Sequence, residues 1–133
     1  MSSICVKSLL LLVNDTDEAI AYFVNTLGFA LLAHETRPDG SRWVQVGSAQ
    51  GEGAKLILKQ AKNSAQQALV GQQAAGGVLG IFEVSDFDST YQAWLQKGVT
   101  FLEEPRYESY GSVAIFSDLY GNKWDLIGPP RSA

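Results

Sequence analysis

The chain has 133 residues, of which 46% are hydrophobic and 18% charged, values of an ordinary folded domain rather than a disordered segment. Fourteen acidic against ten basic side chains give a formal charge of −4, which repels a phosphate backbone and argues against nucleic acid as a partner. No stretch reaches the roughly 18 consecutive apolar residues of a membrane span, and Met1 to Lys7 lacks the order of a signal peptide, so a cytoplasmic protein with no membrane partner is expected. The single Cys5 can form neither an internal disulfide nor a thiolate metal cluster.

Val6 to Val13 is a short apolar run that predicts a buried strand. Asp15 follows, with Glu18 three residues on, an N-cap with a capping-box partner. Ile20, Phe23 and Leu27 then share one helical face, and Gly28 is a natural stop. Ala30 to Thr36 reads as a strand, Arg37-Pro38-Asp39-Gly40-Ser41 as a turn, and Arg42 to Val46 as the return strand. A loop from Gly47 to Gly53 leads to a fourth strand, Ala54 to Leu58. Gln60 to Ala75, rich in Gln and Ala, predicts a connecting segment with a helical turn around Ala65 to Val70.

The order then repeats. Val78 to Val84 is a strand, Asp86 caps a helix with Phe87, Tyr91, Trp94 and Leu95 on its apolar face, and Gly98 ends it. Val99 to Tyr107 is a strand broken at Pro105, which marks an edge or bulge. Gly111 to Ser117 and Lys123 to Ile127 are the last strands. The repeat includes Asn14-Asp15-Thr16-Asp17 against Ser85-Asp86-Phe87-Asp88, and Lys55-Leu56-Ile57-Leu58 against Lys123-Trp124-Asp125-Leu126. Two like modules are therefore expected, α+β in class and each βαβββ, within one domain spanning 1–133: module one about 4–59, a linker about 60–76, module two about 77–128.

This order, with the closing run Ser117-Asp118-Leu119-Tyr120-Gly121-Asn122-Lys123-Trp124-Asp125-Leu126 and with Leu27-Gly28-Phe29 after the first helix, resembles the vicinal oxygen chelate superfamily. That group includes glyoxalase I, extradiol dioxygenases, and fosfomycin- and bleomycin-resistance proteins. The resemblance covers Val6 to Ile127 and implies paired modules whose sheets curl into a cupped half-barrel around one cavity. It also implies a divalent metal held by His, Glu or Gln from the first and last strands of each module. Carried over, those positions fall on Ser8, Ile57, Leu79 and Asp125. One carboxylate and one hydroxyl cannot replace a set of imidazole, carboxylate and amide donors, and a shift of one residue finds nothing better. No metal and no cofactor are expected.

Strand alternation extends the inference. If those four positions face the cavity, so do Leu10, Leu12, Ile81, Glu83 and Lys123, whereas Leu9, Leu11, Val13, Phe82, Val84, Trp124 and Leu126 face the helices. The lining is then aliphatic with a few polar handles, which suits a small organic molecule. Trp43, Tyr107, Tyr110 and Tyr120 lie where a mouth is expected; stacking on a ligand and plain packing are both open to them. Glu83 and Lys123 are equally read as an ion pair with each other. His34, the only histidine, lies outside the ligand positions, and a hydrogen-bonded strand residue is its simpler role; with Asp125 and Glu83 it completes the set of groups able to move a proton.

The functional expectation is metal-independent binding of a small organic molecule, of the bleomycin-resistance type and in a homodimer. Two alternatives stay open: a glyoxalase- or dioxygenase-like enzyme, and a scaffold without a ligand.

Overall fold

A computed structural model describes residues 2–131. The chain divides into two compact units, Met1–Val70 and Gly71–Ala133. No helix among the described residues is long and apolar enough to cross a membrane.

The first unit begins with β1 (Ser8–Val13), which runs into helix α1 (Thr16–Ile20). Asp15 caps this helix: its carboxylate accepts from the Glu18 amide at 2.9 Å, satisfying one of the donors that a helix start leaves open. The helix continues as a π-helical turn over Ala21–Thr26, where the Leu27 amide reaches back five residues to the Tyr22 carbonyl. Gly28 ends it at φ +94°, a conformation that costs a Cβ-bearing residue free energy. Strands β2 (Ala30–Thr36), β3 (Arg42–Gly47) and β4 (Lys55–Gln60) complete a sheet ordered β1-β4-β3-β2, with β1 and β4 parallel. In the β2–β3 turn Asp39 accepts from both the Ser41 amide and its hydroxyl. The core lies between helix and sheet: Ala19, Phe23 and Leu27 on one side, Leu11, Val13, Val44, Val46 and Leu58 on the other, all buried. Ile20, expected on the same face, is only half-buried, because the switch from α to π geometry rotates the apolar stripe.

The connecting segment contains a short helix, α2 (Ser64–Leu69), capped by Asn63, close to the expected turn. The second unit repeats the plan. Strand β5 (Val78–Glu83) leads to helix α3 (Phe87–Gln96), capped by Asp86 through the Ser89 amide at 3.1 Å. The expected strand from Val99 to Tyr107 is instead two short ones, β6 (Thr100–Phe101) and β7 (Arg106–Glu108), both paired to β8 (Gly111–Ser117). Pro105 stands at the break, where its missing N–H would otherwise interrupt the ladder. Strand β9 (Lys123–Gly128) lies between β5 and β8, parallel to the first and antiparallel to the second.

This core is aromatic. Trp94 meets Phe116 edge-on at 5.0 Å, and Phe82 stacks on Trp124 at 4.4 Å. Gly80 makes that stack possible, since a Cβ there would lie 2.8 Å from the Trp124 ring. Leu95, expected on the buried face of α3, is 42% exposed: at one residue past Trp94 it has turned toward solvent. Each unit is thus an α+β module with one sheet face covered by its own helix, and neither sheet closes on itself.

Candidate functional site

The registers decide which side chains lie on the sheet faces turned away from the helices. In the first unit Leu10 sits opposite Ile57 and Leu12 opposite Lys59, while Ile57 pairs with Gln45 on its other side. Ser8, Leu10, Leu12, Gln45, Ile57 and Lys59 therefore share that face, with Trp43 two residues along β3. Leu10 is 57% exposed and Ile57 6%. Trp43 is half-buried, and the Arg37 guanidinium lies 5.2 Å from its ring centre, so one ring face is already taken by a cation.

In the second unit Asp125 lies between Ile81 on β5 and Ile115 on β8. Lys123 and Ile127 flank it on the same strand face, and Glu83, paired with Ile127, is exposed. A half-buried carboxylate is thus set among branched aliphatic side chains, with an ammonium roughly 7 Å along the strand. Leu79 occupies a β-bulge: Val78 takes the partner position opposite Lys123, and Leu79 drops out of the regular ladder. The alternation argument assumed an unbroken strand and could not see this. The suggested Glu83–Lys123 ion pair does not form. The two stand four residues apart along β9, about 13 Å, too far for any contact.

Two aromatic residues, Tyr110 and Tyr107, are placed away from these faces. Tyr110 is in the tight β7–β8 turn and 63% exposed. Tyr107 shares a face with Ser112, on the helix side, where its ring packs edge-on against Phe87 and its hydroxyl donates to Asp88 at 2.9 Å. The Arg131 guanidinium covers the other side of that ring at 3.4 Å and approaches Asp88 at 3.4 Å. Burial, then the bond to Asp88, raise the Tyr107 phenol above its ordinary value of 10.0. A raised value means that the folded state holds the proton more tightly than the unfolded chain. The associated stability is complete below about pH 10 and is lost as the pH rises through the folded-state value. In a spectrophotometric phenol titration Tyr107 should ionise above its ordinary value, and Asp88→Ala should bring that ionisation to lower pH.

His34 is paired with Val44, on the helix side of the first sheet. Its Nε2 accepts from the Arg42 guanidinium, which also bonds Asp17 at 2.7 Å. Asp125 and Glu83 belong to the second unit's outer sheet face, so His34 has neither as a neighbour within its own unit.

The closing motif has a structural role that residue spacing alone did not reveal. Asp118 is 6% exposed and accepts four bonds of 2.9–3.0 Å: from the amides of Tyr120 and Asn122, from Asn122 Nδ2 and from Trp124 Nε1. Gly121 completes the turn at φ +95°. The Asp-x-x-Gly-Asn run is thus a clamp that fixes the start of β9, and with it the register that brings Asp125 between two isoleucines.

A divalent metal is implied by the resemblance noted above, and the donor set does not suit one. Among the described residues no three of His, Cys, Asp or Glu come together as ligands would. Asp125 has Ile81 and Ile115 as its neighbours in the sheet, and the other matched positions, Ser8, Ile57 and Leu79, offer one hydroxyl and two hydrocarbons.

The Glyoxalase/Bleomycin resistance protein/Dioxygenase superfamily model matches residues 6–126, and the chain belongs to that superfamily. An uncharacterized protein of Shewanella frigidimarina (strain NCIMB 400) is 40% identical over 119 residues, covering 88% of this chain and 87% of that one. The crystal structure of UcmS2 matches with a TM-score of 0.81 at 26% identity, over 95% of this chain and 98% of the other. That of TnmS3, an antibiotic binding protein from Streptomyces sp. CB03234, matches with a TM-score of 0.75 at 27% identity, over 97% and 98%.

Proposed function

We propose that the protein binds a small organic molecule on the sheet faces that its helices leave uncovered, without a metal, in the manner of a bleomycin-resistance protein. The observation that carries this reading is the composition of those faces. On the second unit's face Ile81, Ile115 and Ile127 supply apolar area and Asp125 with Lys123 two opposite charges as handles; on the first unit's face Leu10 and Leu12 supply apolar area of their own. Desolvation among the isoleucines strengthens any bond that Asp125 makes to a ligand amine. The likeness to an antibiotic binding protein over nearly the whole chain supports the same class. A homodimer fits the exposed Ile4, Val6 and Leu9 at the start of edge strand β1.

Two measurements test it together. Protein incubated with Ni, Zn, Mn and Fe(II) and then desalted should retain far less than one metal ion per chain. In a thermal-shift screen of antibiotics, a true ligand at a hundred times its Kd should raise Tm by roughly 10 °C, because it stabilises only the folded state. Asp125→Ala should abolish most of that rise for a cationic ligand. Stoichiometric metal that disappears in Asp125→Ala would refute the proposal and restore a metalloenzyme.

A further inference from the structure

The basic residues are unevenly distributed. Four of the ten, Arg37, Arg42, Lys59 and Lys62, gather where the β2–β3 turn, the end of β4 and the start of α1 meet, in a protein whose net charge is −4. A cleft of about 430 Å³ opens there, lined by Thr16, Ser41, Arg42, Lys59, Gln60 and Lys62, with the Gly40 and Ala61 backbone between them. Its size is that of a small-molecule site.

The walls are held in place before any ligand arrives. Gln60 Oε1 accepts from both the amide and the hydroxyl of buried Thr16, at 3.0 and 3.1 Å. The Ala61 amide donates to Val13, the Lys62 amide donates to Gln66, and Asn63 caps α2, which fixes the chain on which Lys62 stands. On the opposite wall Asp39 fastens Ser41 through its amide and hydroxyl. Arg42 is oriented by Asp17 and His34, which use one of its terminal nitrogens and leave the donors of the other two without partners among the described residues.

The acidic groups nearby are already engaged. Asp17 is bonded to Arg42, Asp39 to Ser41, and Asp15 to the Glu18 amide. Neither Lys59 nor Lys62 has an ion-pair partner among the described residues. The cleft thus presents two ammonium groups and part of a guanidinium, with the carboxylates of Asp15, Asp17 and Asp39 near them, each already held by a hydrogen bond. Arginine matches tetrahedral oxyanions through its planar fork, and lysine contributes point charge.

We propose that this cleft is an anion site, which takes the phosphate group of a small molecule between Arg42, Lys59 and Lys62. Lys59 also stands on the outer face of the first sheet, so the cleft adjoins that face, but the anion reading does not rest on the sheet-face proposal. A large polyanion is disfavoured by the overall negative charge, so the ligand is a small molecule carrying its charge in one compact group.

The test is an NMR titration of the full chain with inorganic phosphate against sodium chloride at equal ionic strength, followed through backbone amides. Saturable shifts confined to Thr16, Ser41, Arg42 and residues 59–62 are expected, with at least tenfold weaker binding in the Lys59→Gln/Lys62→Gln double variant. Should that variant fold poorly, Lys62→Gln alone, at an exposed position, should still weaken phosphate severalfold, and Lys97→Gln should not. Shifts that never saturate, that spread over the surface, or that persist unchanged in the lysine variants would overturn the proposal.

Discussion

Asp118→Ala is expected to destabilise the protein by about 3–5 kcal/mol, the range reached when a buried charged hub is removed and its donors are left behind. The carboxylate receives two backbone amides, the Asn122 side chain and the indole N–H of Trp124. Asn122 and Trp124 are 3% and 4% exposed, so water cannot take over their bonds without opening the turn. Asp118→Asn keeps the shape and one acceptor oxygen but places an NH₂ against donors, so it should lose less, about 2 kcal/mol. Urea denaturation followed by tryptophan fluorescence would measure both. A loss below about 1 kcal/mol for the alanine variant would mean that the turn is held by its backbone alone. Because Asp125 is seven residues downstream on the strand that this turn starts, the alanine variant should also weaken the ligand binding proposed above, without touching the ligand.

Gly71→Ala should be the second severe substitution, at about 2–4 kcal/mol. Gly71 is buried with φ +77°, and a Cβ there would stand 2.0 Å from the Tyr120 carbonyl oxygen, inside the same clamp. Backbone, not a flexible side chain, is the obstacle, so the turn must move or the segment must detach. Gly76→Ala is the control. Its φ is +88°, but no atom lies within 4 Å of the added carbon, so only the cost of left-handed backbone applies, about 1 kcal/mol. Thermal denaturation of the two variants side by side separates collision from strain. Equal losses would show that the contact with Tyr120 contributes nothing.

The candidate sheet faces were legible to different depths in different places. Alternation correctly grouped Ser8, Leu10, Leu12 and Ile57 on one face, and Ile81, Glu83 and Asp125 on another, because a regular strand points every second side chain the same way. It treated β5 as unbroken, whereas the ladder shifts register between Val78 and Gly80, and the Gly within the strand pattern is the local signal of such a bulge. It offered Glu83 and Lys123 as a pair, because face is readable from sequence but distance along two strands depends on register. Tyr107 could not be placed at all from spacing: Asp88 is nineteen residues away and Arg131 lies beyond the last strand. The basic cleft was missed for the same reason, since its residues come from three segments that are each unremarkable alone.

What the sequence determined by itself was the module plan: helix caps at Asp15 and Asp86, glycine stops at Gly28 and Gly98, and alternation within strands. These are local properties, set by side-chain chemistry and the two backbone periods. Tertiary structure alone decided which groups meet. It made Asp118 the centre of a four-bond clamp, set Asp125 between Ile81 and Ile115, and gathered Arg42, Lys59 and Lys62 around one cleft. The physical reason is that pairing and register depend on the free energy of the whole sheet and core, to which no single segment holds the answer.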